Sequence, residues 1–142
     1  MSTPTPTDSG TQSWHDRLAE LGIRLPPVAA PVASYVPAVR TGKVGGSVDI
    51  EAAAADAKVC ALNALAAIDA LVGLDSVARI VKVVGFVASA EGFTGQPRVV
   101  NGASELLGKI FGDAGQHARS AVGVAELPLG APVEVELTVE LR

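Results

Sequence analysis

The C-terminal quarter of the chain carries its clearest structural pattern: residues 117–141 read HARSAVGVAELPLGAPVEVELTVEL. From Val133 onward, valines and leucines alternate with three glutamates and a threonine. This alternation is typical of a strand with one buried and one polar face. A second strand is predicted over 120–126, and the connection 127–132 contains two prolines and a glycine, which indicates a hairpin.

The predicted hairpin register separates its two candidate site residues. It places Arg119 opposite Glu140, and Glu134 opposite Ala125. Arg119 and Glu134 would then lie about 20 Å apart along the strands, at ~3.3 Å per residue. We therefore expect that they cannot share a site within one chain, although they could do so across a subunit interface.

Helical patterns occupy the middle of the chain. Asp49 is the expected N-cap of a helix that runs to about Val72 and is stopped by Gly73. Its predicted buried face consists of Val59, Leu62, Leu65, Ile68 and Val72. A second long helix is predicted over 98–111. A short helix over 16–21 is expected to begin after the capping residue Ser13.

Between the two long helices, residues 77–88 read VARIVKVVGFVA. A stretch that is β-branched and apolar on both faces predicts a central strand covered on two sides. With a further short strand expected over 35–40, the fold class is α+β, with the helices on one sheet face. A second subunit is the simplest cover for the other face.

Composition limits the classes of function. The 142 residues predict one domain over 13–142, after a Ser/Thr/Pro-rich tail over 1–12 that is expected to be disordered. A net charge of −4 argues against a nucleic-acid partner, and no stretch is long and apolar enough for a membrane span. A single cysteine and no signal-peptide pattern indicate the cytoplasm.

Few residues suggest chemistry. Cys60 is expected to be a buried structural thiol, His15 to be solvated, and His117 to have a structural role at a strand start. Neither histidine has partners at metal-ligand spacing, so no metal and no cofactor are predicted. Residues 102–109 resemble a phosphate-binding loop only superficially, because the glycine spacing is wrong and Ile110 replaces the magnesium-binding hydroxyl. Arg119 remains, either as a strand-end salt bridge or as a bidentate clamp for a ligand carboxylate.

The residues around Arg119 resemble a known family. The run from Arg119 to Pro128 (RSAVGVAELP), followed by Val133-Glu-Val-Glu136, is similar to the C-terminal signature of the RidA/YjgF family, also called endoribonuclease L-PSP. The runs 35–42 (YVPAVRTG), 85–87 (GFV) and 100–102 (VNG) are similar to its first strand, central strand and second-helix start. The resemblance is to a less characterised branch of the family.

The resemblance implies a chorismate-mutase-like α+β fold with a mixed sheet. It implies a homotrimer whose sheets form a barrel, with clefts between subunits that bind a small carboxylate-bearing metabolite. Archetypal members hydrolyse 2-imino and 2-enamino acids to 2-oxo acids and ammonia. By position, Arg119 would hold the substrate carboxylate, Glu134 would orient or activate water, and Tyr35 and Asn101 would line the cleft. The alternatives are a non-catalytic trimeric binder with a regulatory role and, less favoured for an acidic chain, an endoribonuclease.

The chain departs from the family pattern after Gly42. Relatives continue there with an apolar strand that ends in Ser-Gly-Gln, whereas here Thr41-Gly42 is followed directly by Lys43. About twenty residues are therefore expected to be missing. Either the gene has lost these residues, or the protein contains them and the given sequence omits them. A true loss would remove a strand and part of the pocket wall.

Overall fold

The computed structural model describes residues 12–28 and 40–142 of the chain. The disordered tail expected over 1–12 falls almost wholly outside these residues, and so do Tyr35 and nearly all of the strand expected over 35–40. The order of the described elements is α1 (Trp14–Glu20), α2 (Ile50–Val72), β1 (Val77–Ala88), α3 (Gln96–Phe111), β2 (Ala118–Val124) and β3 (Val133–Leu141). The fold class is α+β, as predicted.

The sheet is mixed, and β1 lies at its centre. In the described part of the chain it has three strands in the order β2-β1-β3, with β2 parallel and β3 antiparallel to β1. The bounds of β1 match the prediction, and the side chains of Val83 and Val87 are fully buried. A strand that is apolar on both faces takes the central position because it has no polar face to offer to water.

The predicted hairpin between β2 and β3 is wrong, because β1 lies between these two strands. The connection crosses the end of β1: Ser89 N–H donates to the Val124 carbonyl and Ala88 N–H donates to the Pro132 carbonyl. The prolines and the glycine make this connection compact, but β3 does not pair with β2, the strand that precedes it in the chain. The predicted pairs of Arg119 with Glu140 and of Glu134 with Ala125 are therefore wrong too; Arg119 pairs with Val83 and Glu134 with Phe86.

Helix α2 begins and ends as expected, but a different face is buried. The Asp49 side chain accepts a hydrogen bond from Ala52 N, and Gly73 ends the helix with a φ of 79°. Of the predicted apolar face, Leu65 is buried, whereas Val59 and Val72 are exposed. The buried residues are instead mostly alanines: Ala53, Ala57, Ala61, Leu65 and Ala66.

The alanine face follows from the close approach of α2 to α3. A Cβ added at Gly102 of α3 would lie 1.9 Å from the Ala54 carbonyl oxygen. Only small side chains allow two helix backbones to come this near. On its other side α3 packs on the sheet, where Val100 occupies the space that a side chain at Gly85 would need. Gly85 and Gly102 thus set the position of α3 between α2 and the sheet.

The N-terminal helix α1 docks against the ends of these elements. Ser13 caps it, as predicted, by accepting from Asp16 N, although the helix starts two residues before the expected position. Trp14 donates from Nε1 to the Val77 carbonyl at 2.9 Å, and its ring meets that of Phe111 edge to face. Among the described helices, none has both the length and the apolarity that crossing a membrane would require.

Candidate functional site

Strand β2 places Arg119 on the helix-covered face of the sheet. Arg119 pairs with Val83, whose buried side chain points towards the helices. Because side chains on neighbouring strands at the same register lie on the same face, the Arg119 side chain projects towards α3. Since β2 is an outer strand of the three, the arginine remains exposed to solvent.

Two neutral oxygens on α3 hold the guanidinium. Arg119 Nη1 donates to Asn101 Oδ1 at 2.8 Å and to Ser104 Oγ at 3.2 Å. Asn101 and Ser104 are three residues apart and therefore lie side by side on one face of the helix. An Nη atom carries two hydrogens, and both are used here. Within the described part of the chain, the edge formed by Nε and Nη2 has no partner. That edge has the planar fork geometry that matches a carboxylate.

The strand-end salt bridge considered for Arg119 is not observed within residues 12–28 and 40–142. Glu140, which the predicted register placed opposite Arg119, instead forms a salt bridge with Arg79 on β1. The full positive charge of Arg119 is thus left uncompensated by any described carboxylate. Such a charge, fixed by neutral acceptors, is suited to binding an anion.

The hydrogen bonds continue beyond Ser104 to a residue that we expected to be structural. Ser104 Oγ lies 3.0 Å from His117 Nε2, and His117 Nδ1 lies 2.6 Å from the Gly115 carbonyl oxygen. The sequence offered two signals for this arrangement. Ser104 follows Asn101 at helical spacing, and His117 precedes Arg119 by two residues, which places both on one side of a strand.

The structure does not bring Glu134 to Arg119 within one chain. Glu134 pairs with Phe86, next to the buried pair of Val87 and Val133, and alternation therefore puts it on the helix-free face. Arg119 and Glu134 lie on opposite faces and on the two outer strands. The earlier expectation that one chain cannot use both residues at one site is consistent with this, although the hairpin argument behind it was wrong. Tyr35 lies outside the described residues.

The helix-free face of the sheet combines an apolar centre with charged flanks. Val84 and Phe86 of β1 and Val122 of β2 share this face, and Val122 is 42% exposed. Lys82 lies beside them, as do two of the three glutamates of β3, Glu134 and Glu136. Within one described chain, this apolar centre is only partly covered.

Cys60 is not a nucleophile at neutral pH. Burial raises the pKa of its thiol to about 11, and the carboxylates of Asp56 and Glu134 add to the shift. Its sulfur lies 3.9 Å from the Val133 carbonyl oxygen, between α2 and β3. The thiol therefore stays protonated and acts as a packing group, because the thiolate is the reactive form.

His15 is paired rather than simply solvated. Its Nδ1 lies 2.8 Å from Asp75 Oδ2 and its Nε2 lies 3.0 Å from Asp69 Oδ1, while its side chain remains 49% exposed. The hydrogen bond to Asp75 raises the pKa of His15, and the same bond lowers the pKa of Asp75. No cluster of three or more metal-ligating side chains suited to a metal ion occurs in the parts of the chain that the structure describes.

Comparison with known proteins gives a family match over most of the chain. The Endoribonuclease L-PSP family matches residues 28–141. Protein TCP17 of Trypanosoma cruzi is 42% identical over 147 residues, which cover 88% of this chain and 92% of that protein.

Two solved structures share the fold. The protein Atu1372 of Agrobacterium tumefaciens has a TM-score of 0.77 at 38% identity and covers 91% of this chain, which in turn covers 93% of it. A Shewanella oneidensis protein, provisionally assigned as an endoribonuclease, has a TM-score of 0.81 at 26% identity. That match covers 92% of this chain and 100% of the Shewanella protein. The α+β fold with a mixed sheet is thus the fold of these proteins.

The match to TCP17 also bears on the missing segment. Its 147 residues correspond to 88% of this chain, or about 125 residues. The aligned region therefore contains about 22 positions that this chain lacks. This number agrees with the segment expected to be missing after Gly42.

Proposed function

Since the chain belongs to the endoribonuclease L-PSP (RidA/YjgF) family, we propose that it is a hydrolytic deaminase of reactive 2-imino and 2-enamino acids. Its products would be 2-oxo acids and ammonia. The observation that carries the proposal is the Arg119 guanidinium, which two neutral oxygens hold while its Nε–Nη2 edge stays available within the described structure. All of these substrates have a carboxylate next to the reacting carbon, and such a carboxylate fits this edge.

The proposed reaction is an addition of water followed by loss of ammonia. Arg119 holds the carboxylate and so positions the neighbouring C=N carbon. Glu134 of the partner subunit takes a proton from water as the water oxygen bonds to that carbon, and passes this proton to the imine nitrogen. The carbinolamine then collapses: its hydroxyl proton moves to the amine nitrogen, the C–N bond breaks, ammonia leaves, and the C=O bond of the 2-oxo acid forms. This hydrolysis consumes water alone and involves no cofactor.

A homotrimer is part of the proposal, because Arg119 and Glu134 lie on opposite faces of one sheet. The apolar centre of the helix-free face, formed by Val84, Phe86 and Val122, supports such an assembly, since a partner sheet would remove it from water. The three sheets would form a barrel with clefts between the subunits. Light scattering should give about three times the chain mass of 14.3 kDa. A monomer at micromolar concentration would contradict the trimer and, with it, the shared site.

A non-catalytic binder of small carboxylates is the second candidate, and the missing segment favours it. A chain shorter by about 22 positions than its relative in the aligned region can keep the Arg119 anchor yet lack part of the pocket wall that excludes bulk water. Such a trimer would bind a 2-oxo or 2-imino acid and report its level without converting it.

One assay separates the two candidates. A threonine dehydratase generates 2-iminobutyrate in place, and ammonia release is followed with and without the protein, with Arg79→Lys as a control variant. Faster release by both wild type and Arg79→Lys supports the deaminase. Unchanged release together with measurable 2-oxobutyrate binding supports the binder.

An endoribonuclease role, as the family name suggests, is the third candidate and receives the least support. The net charge of −4 gives little attraction for a phosphate backbone. RNA cleavage that survives further purification and is lost in Arg119→Ala would overturn this judgement.

A cytoplasmic location, predicted from the single cysteine, is also part of the proposal.

A further inference from the structure

With His117 as the neutral imidazole, the hydrogen bonds behind Arg119 have a single direction. The Gly115 carbonyl can only accept, so His117 Nδ1 must carry a hydrogen. In the neutral imidazole, Nε2 is then the acceptor, and the Ser104 hydroxyl donates to it. The lone pairs of Ser104 Oγ are thereby left for Arg119 Nη1. The donating order runs from Arg119 to Ser104, to His117 and to Gly115.

The far end of this chain is rigid. Gly115 is buried, and a Cβ added to it would lie 2.6 Å from the Leu107 carbonyl oxygen on α3. The acceptor for His117 is thus fixed against the same helix that carries Asn101 and Ser104. A hydroxyl normally rotates freely, but here His117 holds its hydrogen away from the arginine.

This arrangement orders the guanidinium without neutralising it. A carboxylate in place of Ser104 would also fix Arg119, but it would compete with the charge of a ligand. An exposed arginine that is not fixed loses side-chain conformational freedom when a ligand orders it. An arginine that is already ordered avoids much of that loss, and the ligand then binds more tightly.

We propose that Ser104 and His117 are positioning residues that order the Arg119 guanidinium and present its Nε–Nη2 edge to a carboxylate. The benefit for carboxylate binding rests on the proposed function, whereas the ordering of Arg119 does not. The two parts are therefore tested by separate measurements on the same variants.

The first measurement uses the ligand-free protein. Nitrogen–proton NMR of arginine side chains detects separate Nη signals only where rotation of the guanidinium is hindered, and loss of the signals in Arg119→Lys assigns them. We expect separate signals for Arg119 in the wild type and averaged signals in Ser104→Ala and His117→Phe. His117→Gln should retain them, because its amide oxygen can accept from Ser104. Averaged signals in the wild type, or unchanged signals in Ser104→Ala, would overturn the proposal.

The second measurement is calorimetric affinity for 2-oxobutyrate, with melting temperature recorded on the same samples. Loss of one supporting hydrogen bond should weaken binding about 3- to 10-fold in Ser104→Ala and His117→Phe, and less in His117→Gln. A lower melting temperature with unchanged affinity would identify a merely structural pair and refute the proposal. If His117→Phe does not fold, Ser104→Ala decides alone.

The two measurements also separate failure of this inference from failure of the proposed function. A wild type that does not bind 2-oxobutyrate contradicts the proposed function, while the NMR signals still decide whether Ser104 and His117 order Arg119. A wild type that binds, with Ser104→Ala binding equally well, contradicts the inference alone.

Discussion

The three described strands contain two arginines, and the partners of these arginines differ. Arg79 on β1 forms a salt bridge with Glu140 of β3, and both side chains are more than half exposed. Arg119 on β2 is also exposed, but its partners are the amide oxygen of Asn101 and the hydroxyl of Ser104. The first arginine is neutralised by its neighbour, whereas the second is held in place with its charge intact.

This difference indicates how a binding site can be distinguished from a surface ion pair. A carboxylate partner satisfies an arginine and leaves little attraction for a ligand. Neutral partners leave the positive charge of the arginine available to attract a ligand, and they still restrict the side chain. Four tests follow from the contrast between Arg79 and Arg119: three compare a change with a matched control variant, and the fourth concerns the stability that a paired cation contributes.

The largest effect is expected for Glu134, which is compared with Glu140 on the same strand. Glu134→Gln should lower kcat for 2-iminobutyrate hydrolysis by about 10²- to 10⁴-fold, because the amide cannot accept the proton of water. Affinity for 2-oxobutyrate should change little. Glu140→Gln should leave kcat unchanged and cost at most about 1 kcal/mol of stability, as an exposed ion pair. A wild-type kcat in Glu134→Gln would remove this glutamate from the reaction.

The next effect concerns the two arginines directly. Arg119→Lys should weaken 2-oxobutyrate binding by about 2–4 kcal/mol, or roughly 30- to 1000-fold, because an ammonium cannot reproduce the fork. Arg79→Lys should bind like the wild type. Both variants should melt near the wild-type temperature. Calorimetric titration measures the affinities, and equal affinity in the two variants would abolish the contrast between the arginines.

A change on α3 should disturb the support of Arg119 from a distance. Gly102→Ala places a methyl group against the Ala54 carbonyl and should cost about 1–3 kcal/mol in the free energy of unfolding. Because Asn101 and Ser104 flank this residue, affinity for 2-oxobutyrate should fall as well.

Gly108→Ala is the matched control on the same helix. An added Cβ there meets no atom within 4 Å, so the change should stabilise by about 0.5–1 kcal/mol and leave affinity unchanged. Denaturant unfolding measures both stabilities. Equal destabilisation by the two changes would show that close helix packing at Gly102 has no special role.

The smallest effect is expected at His15. Like Arg79, this basic residue is paired with carboxylates. The hydrogen bond to Asp75 raises the pKa of His15, so its stabilising contribution is fully present below pH 6.5 and is lost as pH rises through the raised pKa. The lowered pKa of Asp75 means that the contribution is also lost in strong acid.

The contribution should reach at most about 1 kcal/mol because His15 is half exposed. Unfolding of wild type and His15→Gln should therefore differ most at mildly acidic pH and converge at alkaline pH. A difference that stays constant from pH 5 to pH 9 would contradict this.

Much of the local structure could be read from the sequence. The bounds of β1, the Asp49 cap and the Gly73 stop of α2 follow from interactions between residues close in the chain. Strand pairing does not, because alternation shows which residues share a face but not which strand lies alongside. The hairpin prediction failed for that reason.

The same limit applies to the buried face of α2 and to the candidate site. The leucines and valines of α2 predicted one buried face. The observed buried face consists mostly of alanines, because α2 and α3 approach closely where Gly102 contacts Ala54. Arg119 and Asn101 could be proposed from their resemblance to a family, yet their hydrogen bond spans 18 positions in the chain.

The roles of Ser104 and His117 emerge only when the folded chain places α3 beside β2. The types and periodic spacing of residues determine short-range structure, because neighbours in sequence are always neighbours in space. Contacts between distant residues depend on which elements pack together, and that is a property of the whole core.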